Sequence, residues 1–180
     1  MISILNLISA SLVLISYSVV FKNEKSYLDS KYWLGINKTN VKVAVIFQVL
    51  ALLGFLIFST WLSGIWGERP QKGLLTYKNG NMGKILILVF LISSIFWAPL
   101  TKRAFASNNL LDVILACIPL WIAALATIGL VAGAFENPNT PYLAFIGIIL
   151  FSIVIINLDG IGWSARFISL FNQTKLQTIQ

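Results

Sequence analysis

Side chains that could perform chemistry are few in this sequence. The chain of 180 residues contains no histidine, one cysteine (Cys117) and six carboxylates. Histidine-ligated haem, zinc, iron and copper sites and the Ser-His-Asp triad all need an imidazole, and iron-sulfur clusters need several thiolates. The carboxylates all stand in loops or at predicted helix ends; they are Glu24, Asp29, Glu68, Asp112, Glu136 and Asp159. The sequence therefore predicts no metal site and no paired acid and base, and we expect a protein that is not an enzyme.

Uncharged polar and small residues within the apolar runs are the remaining candidates. Gln48 and Asn157 would be costly to place against lipid, so we expect them to pack against other helices. Pro99 and Pro119 each leave one backbone carbonyl without its helical partner. Gly129 and Gly133, four residues apart, allow a close approach of two backbones. That approach could serve internal packing or a homodimer seam, and the sequence leaves both open.

The apolar runs themselves predict the elements that hold these residues. Hydrophobic residues make up 58% of the chain and charged residues 11%, about half the charged share of a soluble domain. Five uncharged runs approach the roughly 20 residues that cross a bilayer. We therefore predict an all-α polytopic membrane protein, a single domain over 1–180 with five transmembrane helices. Their bounds are about 2–21, 43–66, 84–101, 110–134 and 141–158. The segment 161–171 either continues the fifth helix or forms a short interfacial helix with Trp163 and Phe167 towards lipid.

The cations between the runs orient the chain. Nine of the 13 lysines and arginines fall on one predicted face and four on the other. The positive-inside rule then places the N-terminus outside and the C-terminus inside. The net charge of +7 is explained by this topology and by contact with anionic head groups. We accordingly expect the lipid bilayer, and no nucleic acid, as a partner; which cellular membrane holds the chain is not encoded in these features.

A series of motifs in the second half resembles the tryptophan-rich sensory protein and translocator family, TspO/MBR. The motifs are Trp97-Ala-Pro99 at the end of helix three, Asp112 at the start of helix four, a small-residue and threonine stretch over 123–127, and Pro141-Tyr142 opening helix five. The resemblance covers about residues 90–145. It implies a five-helix bundle, often dimeric, that binds tetrapyrroles and sterol-like ligands under the first loop.

This resemblance also implies a set of binding residues. Trp97, Pro99, Asp112 and Tyr142 match the motif positions, and Trp33 is the candidate from the covering loop. A bound tetrapyrrole or lipid would then be the ligand, with no other cofactor.

Two functions are consistent with the sequence. In the first, the chain binds or translocates a small hydrophobic ligand without catalysis. In the second, it is an accessory structural subunit of a larger membrane complex and needs no ligand site of its own. Gly129, Gly133 and Asn157 are expected to serve helix packing in both, against this chain's own helices, a second copy or other membrane subunits.

Overall fold

The computed structural model describes residues 2–22, 31–67, 69–77, 81–107 and 109–172. These residues form helices and turns, with no β-strand among them. Six helical elements follow one another: α1 Ile2–Phe21, α2 Lys38–Leu62, α3 Met82–Ser107, α4 Leu110–Glu136, α5 Tyr142–Ile153 and α6 Ser164–Asn172. Short 3₁₀ turns lie at Lys31–Trp33 and Leu74–Thr76, and a π-helical segment at Val154–Trp163 joins α5 to α6. Glu24, Asp29 and Glu68 lie outside the described residues.

Four helices are long and apolar enough to cross a membrane. They span Lys38–Leu62, Met82–Ser107, Leu110–Glu136 and the continuous run Tyr142–Phe171. Within α1 the described side chains give a shorter apolar stretch, Ala10–Val19. The helical fold predicted from the sequence is therefore confirmed, with four of the five predicted spans; the first span and the orientation of the termini remain predictions.

Helix ends follow local capping chemistry. The Asn37 side chain accepts a hydrogen bond from the Asn40 amide at 2.9 Å and starts α2 before the uncharged run begins. Asn109 accepts one from the Leu111 amide at 2.9 Å and starts α4. The third helix differs from its predicted end at 101, since α3 continues to Ser107. Lys102 and Arg103 follow the uncharged run that predicts the third span, and the helix continues past both residues.

The last span is one continuous helix. Of the two alternatives for 161–171, the structure has the continuation of the fifth helix. A π-helical segment includes Asp159 and Gly160 and continues directly into α6. Trp163 is 8% exposed and Phe167 is fully buried, so both face the protein interior instead of lipid. The wider π turn is a feature often found at functional sites.

Close backbone contacts hold the bundle together. α3 packs against α4, α2 against α5, and α1 against α3. α3 and α4, joined by a short connection, are antiparallel neighbours. Gly54 of α2 and Gly147 of α5 touch backbone to backbone, since a Cβ on Gly147 would lie 2.7 Å from the Gly54 carbonyl oxygen. Pro99 has no N–H for the carbonyl of Ile95, and the Ser16 hydroxyl of α1 donates to that carbonyl at 2.9 Å.

Candidate ligand-binding site

One end of the bundle encloses a cavity of about 180 Å³. It lies between the segment 31–36, which precedes α2, and residues of α1, α2, α3, α4 and the last span. The residues lining this aromatic cavity are Tyr17, Tyr32, Trp33, Leu34, Ile36, Gln48, Trp97, Leu120, Leu158, Asp159, Gly162, Trp163 and Arg166. The five from the last span follow a repeat of about four residues, so one face of the π segment and α6 forms a wall of the cavity.

Aromatic residues make up half of the remaining lining. The Trp97 ring lies 5.1 Å from the Tyr17 ring and 5.4 Å from the Trp163 ring, measured between centroids, and the two tryptophans meet edge to face. Such pairs are favourable beyond the area that they bury. Tyr32 and Trp33, 5% and 8% exposed, complete the wall from the 31–36 segment. Five aromatic side chains from four parts of the chain therefore surround one space.

Two long-range hydrogen bonds fasten the 31–36 segment over the cavity. The Trp163 indole N–H donates to the Tyr32 carbonyl at 3.0 Å, and the Arg166 Nε–H donates to the Leu34 carbonyl at 2.8 Å. Leu34 is fully buried and has a φ of +55°, a left-handed conformation that a leucine adopts only where its surroundings enforce it. The last span thus supplies both a wall of the cavity and the fastening of its cover.

Two polar groups of the cavity, on Asp159 and Trp97, have no partner among the described residues. Asp159 is half-buried, and within the described part of the chain it makes no hydrogen bond or ion pair. The Trp97 indole nitrogen is buried and likewise lacks a partner among the described residues. Gln48, half-buried, also lines the space. Asp159 lies within the helical run Tyr142–Phe171, which is long and apolar enough to cross a membrane. A carboxyl group without a protein partner in such a helix is a functional-site candidate, because its placement there is costly.

The predicted binding residues divide into two groups. Trp33 and Trp97 both line the aromatic cavity. Pro99 is exposed on α3. Asp112 is buried, and its Oδ1 accepts from Arg103 Nε at 2.9 Å. Tyr142 is 80% exposed at the start of α5, and none of these last three lines the cavity.

The predicted packing residues also have defined surroundings. Gly133 is buried, and a Cβ there would lie 2.5 Å from Cγ of Leu75, while a Cβ on Gly129 would meet Leu86 at 3.1 Å. Both glycines therefore pack against side chains of this same chain. Asn157 donates from Nδ2 to the Ile153 carbonyl of its own helix at 2.9 Å and lies on an open groove beside α2.

Three of the cavity residues that the sequence did not predict as binding residues have a defined part in the site. Trp163, Arg166 and Asp159 carry its fastening and its carboxyl group. Their spacing over 159–166 places them on one helix face, which is a local signal. Their meeting with Tyr32 and Leu34, more than 130 residues earlier, depends on how the helices dock.

The described residues include no cluster of metal-ligating side chains. Among the described residues no group of three or more histidine, cysteine, aspartate or glutamate side chains could hold a metal ion. The cavity's lining instead combines aromatic faces with one carboxyl group and one guanidinium.

Comparisons with family models, curated proteins and solved structures gave no match to this chain. The resemblance to the TspO/MBR family has no support from them and stays a prediction.

Proposed function

We propose that this chain is a non-enzymatic multi-pass membrane protein that binds a small hydrophobic ligand in the aromatic cavity. The observation that carries the proposal is the convergence of five aromatic side chains on one space of about 180 Å³. The bundle elsewhere packs closely enough for Gly54 to touch Gly147 through backbone atoms. A space of this size beside such packing is a feature of a binding site more than of a core.

The size and walls of the cavity limit the ligand. An apolar cavity of about 150 Å³ can stay free of water and bind a ring the size of benzene, whereas drug-sized ligands occupy roughly 300–1,000 Å³. The cavity of about 180 Å³ therefore suits a molecule of one or two rings, or a compact branched one. A tetrapyrrole, which the family resemblance implies, would require the 31–36 segment to move away from Trp163 and Arg166.

The cation distribution supports a location for the site. The segment 31–36 belongs to the loop with five of the nine cations on the more basic face. With the N-terminus outside, the cavity lies at the cytoplasmic side of the membrane. A ligand would then be exchanged with the cytoplasm or with the inner leaflet.

A cavity-filling substitution tests this function. The full chain is placed in nanodiscs and titrated with indole by calorimetry, with empty nanodiscs as the blank. Leu158→Trp adds bulk to a residue that lines the cavity, and Leu125→Trp makes the same change at a side chain that is 67% exposed on α4. We expect indole to saturate one site, with binding weakened about tenfold or more by Leu158→Trp and unchanged by Leu125→Trp.

Protoporphyrin IX in the same assay tests the family resemblance. Saturable binding that Leu158→Trp removes would make a tetrapyrrole the ligand. If neither probe binds saturably, and the chain migrates within a large assembly on a native gel, the ligand proposal is contradicted in favour of an accessory subunit.

A further inference from the structure

The three carboxyl groups that the structure describes have different surroundings. Asp112 pairs with Arg103 at 2.9 Å. Glu136 accepts a hydrogen bond from the Leu74 amide at 2.7 Å. Asp159, in contrast, faces the aromatic cavity with no hydrogen bond or ion pair to any described residue. A carboxylate away from bulk water is stable when a positive charge compensates it, so a bound cation would stabilise the ionised form of Asp159.

The walls around Asp159 match one kind of cation. Indole and phenol rings have negative faces that attract alkylated ammonium groups, and sets of such rings recognise quaternary ammonium ligands. Tyr17, Trp97 and Trp163 already form a connected set of rings with centroids 5.1 and 5.4 Å apart, and Tyr32 and Trp33 face the same space. A strongly hydrated metal ion or primary ammonium would find few hydrogen-bond acceptors on these walls.

We propose that the aromatic cavity binds the alkylated ammonium group of a small organic cation, with Asp159 as its counter-ion. The inference rests on the proposed function and specifies the chemical class of the ligand. The rings surround the methyl or methylene groups of the ammonium, and the carboxylate neutralises its charge. A compact trimethylammonium head is in keeping with the space of about 180 Å³.

Neither of the two nearby cations, Arg166 and Lys31, pairs with Asp159 in the described part of the chain. Arg166 also lines the cavity, but its side chain is exposed and its Nε–H donates to the Leu34 carbonyl. No ion pair joins it to Asp159 within the described residues. Lys31 extends towards the Phe105 ring, with Nζ 5.6 Å from the centroid, and does not line the cavity.

Two probes of the same shape test the charge directly. Choline carries a trimethylammonium group, and 3,3-dimethylbutan-1-ol has a neutral tert-butyl group in its place. Both are titrated calorimetrically against the full wild-type chain in phosphatidylglycerol nanodiscs. We expect choline to bind about tenfold or more tightly than the neutral probe. Equal affinities, or tighter binding of the neutral probe, would overturn the proposal.

A matched pair of variants assigns the counter-ion. Asp159→Asn removes the charge in the cavity at constant shape, and Glu136→Gln removes one charge at the other end of the bundle while keeping an acceptor for the Leu74 amide. Choline binding should weaken about tenfold or more in Asp159→Asn and stay at the wild-type level in Glu136→Gln. Wild-type choline affinity in a folded Asp159→Asn chain would remove Asp159 from the site.

The outcomes separate this inference from the proposed function. Loss of the choline preference with indole binding intact overturns the cation and keeps the hydrophobic site, whereas failure of all three small probes overturns both. The trimethylammonium group could come from a free solute or from a phosphatidylcholine head group. Weaker choline binding in phosphatidylcholine nanodiscs assigns the lipid head group, and unchanged binding assigns a free solute.

Discussion

The two ends of the helix bundle differ in how their polar side chains are hydrogen-bonded. At the end away from the cavity, the Asn137 side chain accepts from the Gln71 amide at 3.2 Å and donates to Thr140 at 3.3 Å, and Glu136 binds the Leu74 amide. At the cavity end, Asp159 has no such partner among the described residues. The first end uses polar side chains to hold its connections; the second leaves a carboxyl group facing an aromatic space.

This comparison shows which signals mark a site. An unpartnered indole N–H alone does not, because Trp61 also has a buried Nε1 with no partner among the described residues, and it is fully buried and lines none of the cavities described above. What distinguishes the cavity end is the combination of enclosed space, converging rings and an unpaired carboxyl group. Substitutions at the two ends should therefore affect stability and binding separately.

The largest expected effect concerns the close packing that contrasts with the cavity. In Gly54→Ala the new methyl group collides with the Gly147 carbonyl oxygen, so the two backbones must separate. We expect the free energy of unfolding to fall by about 2 kcal/mol or more, measured by thermal unfolding in detergent. Gly129→Ala is the matched control, because its methyl group meets only the flexible end of Leu86 at 3.1 Å. Equal stability of the two variants would contradict the packing described here.

The next effect concerns the cover of the cavity. Trp163→Phe removes the hydrogen bond to the Tyr32 carbonyl, which should destabilise the 31–36 segment by about 1–2 kcal/mol. Amide hydrogen exchange should accelerate in that segment and remain unchanged around Leu74. Trp121→Phe, at a ring 41% exposed on α4, provides the control. Unchanged exchange in Trp163→Phe would mean that the last span does not fasten the cover.

A smaller effect separates the cavity from the family resemblance. Asp112→Asn weakens the ion pair with Arg103, whose side chain is 68% exposed, and removes a charge from the first turn of α4. Solvent screening limits the loss of stability to about 1 kcal/mol. Indole binding should be unchanged, because Asp112 does not line the cavity. Loss of indole binding in a folded variant would instead support the ligand role that the resemblance implies.

The smallest effect is expected at Tyr142. Its side chain is 80% exposed at the start of α5, at the opposite end of the last span from α6. Tyr142→Ala should change the free energy of unfolding by less than about 0.5 kcal/mol and leave indole affinity unchanged by calorimetry. A reduced affinity would show that the site extends beyond the cavity end.

Sequence patterns were sufficient for the helices and insufficient for their ends. Uncharged runs predict where the apolar helices lie, and the fourth helix, predicted from about 110, begins at Leu110. The third uncharged run does not predict that α3 continues to Ser107. The fifth does not predict that a π-helical segment includes Asp159 and Gly160. Both depend on backbone hydrogen bonding that continues after the apolar run has ended.

The binding site could be predicted only in part from the sequence. Trp33 and Trp97 are candidates through the resemblance to the TspO/MBR family, and both line the cavity. The partners Trp163 and Arg166 reach Tyr32 and Leu34 across the whole length of the chain. Local spacing contains no information about such docking, so the sequence does not predict that Trp163 lines the cavity.

Site-resolved tryptophan NMR tests the central claim most directly. The chain is labelled with 5-fluorotryptophan, its six resonances are assigned by single Trp→Phe variants, and choline is added to the full chain in phosphatidylglycerol nanodiscs. We expect saturable shifts of the resonances of Trp33, Trp97 and Trp163, which line the cavity. We expect none for Trp66 and Trp121, which are 39% and 41% exposed. Shifts confined to the exposed rings, or no saturable shift at any ring, would contradict a ligand site in the aromatic cavity.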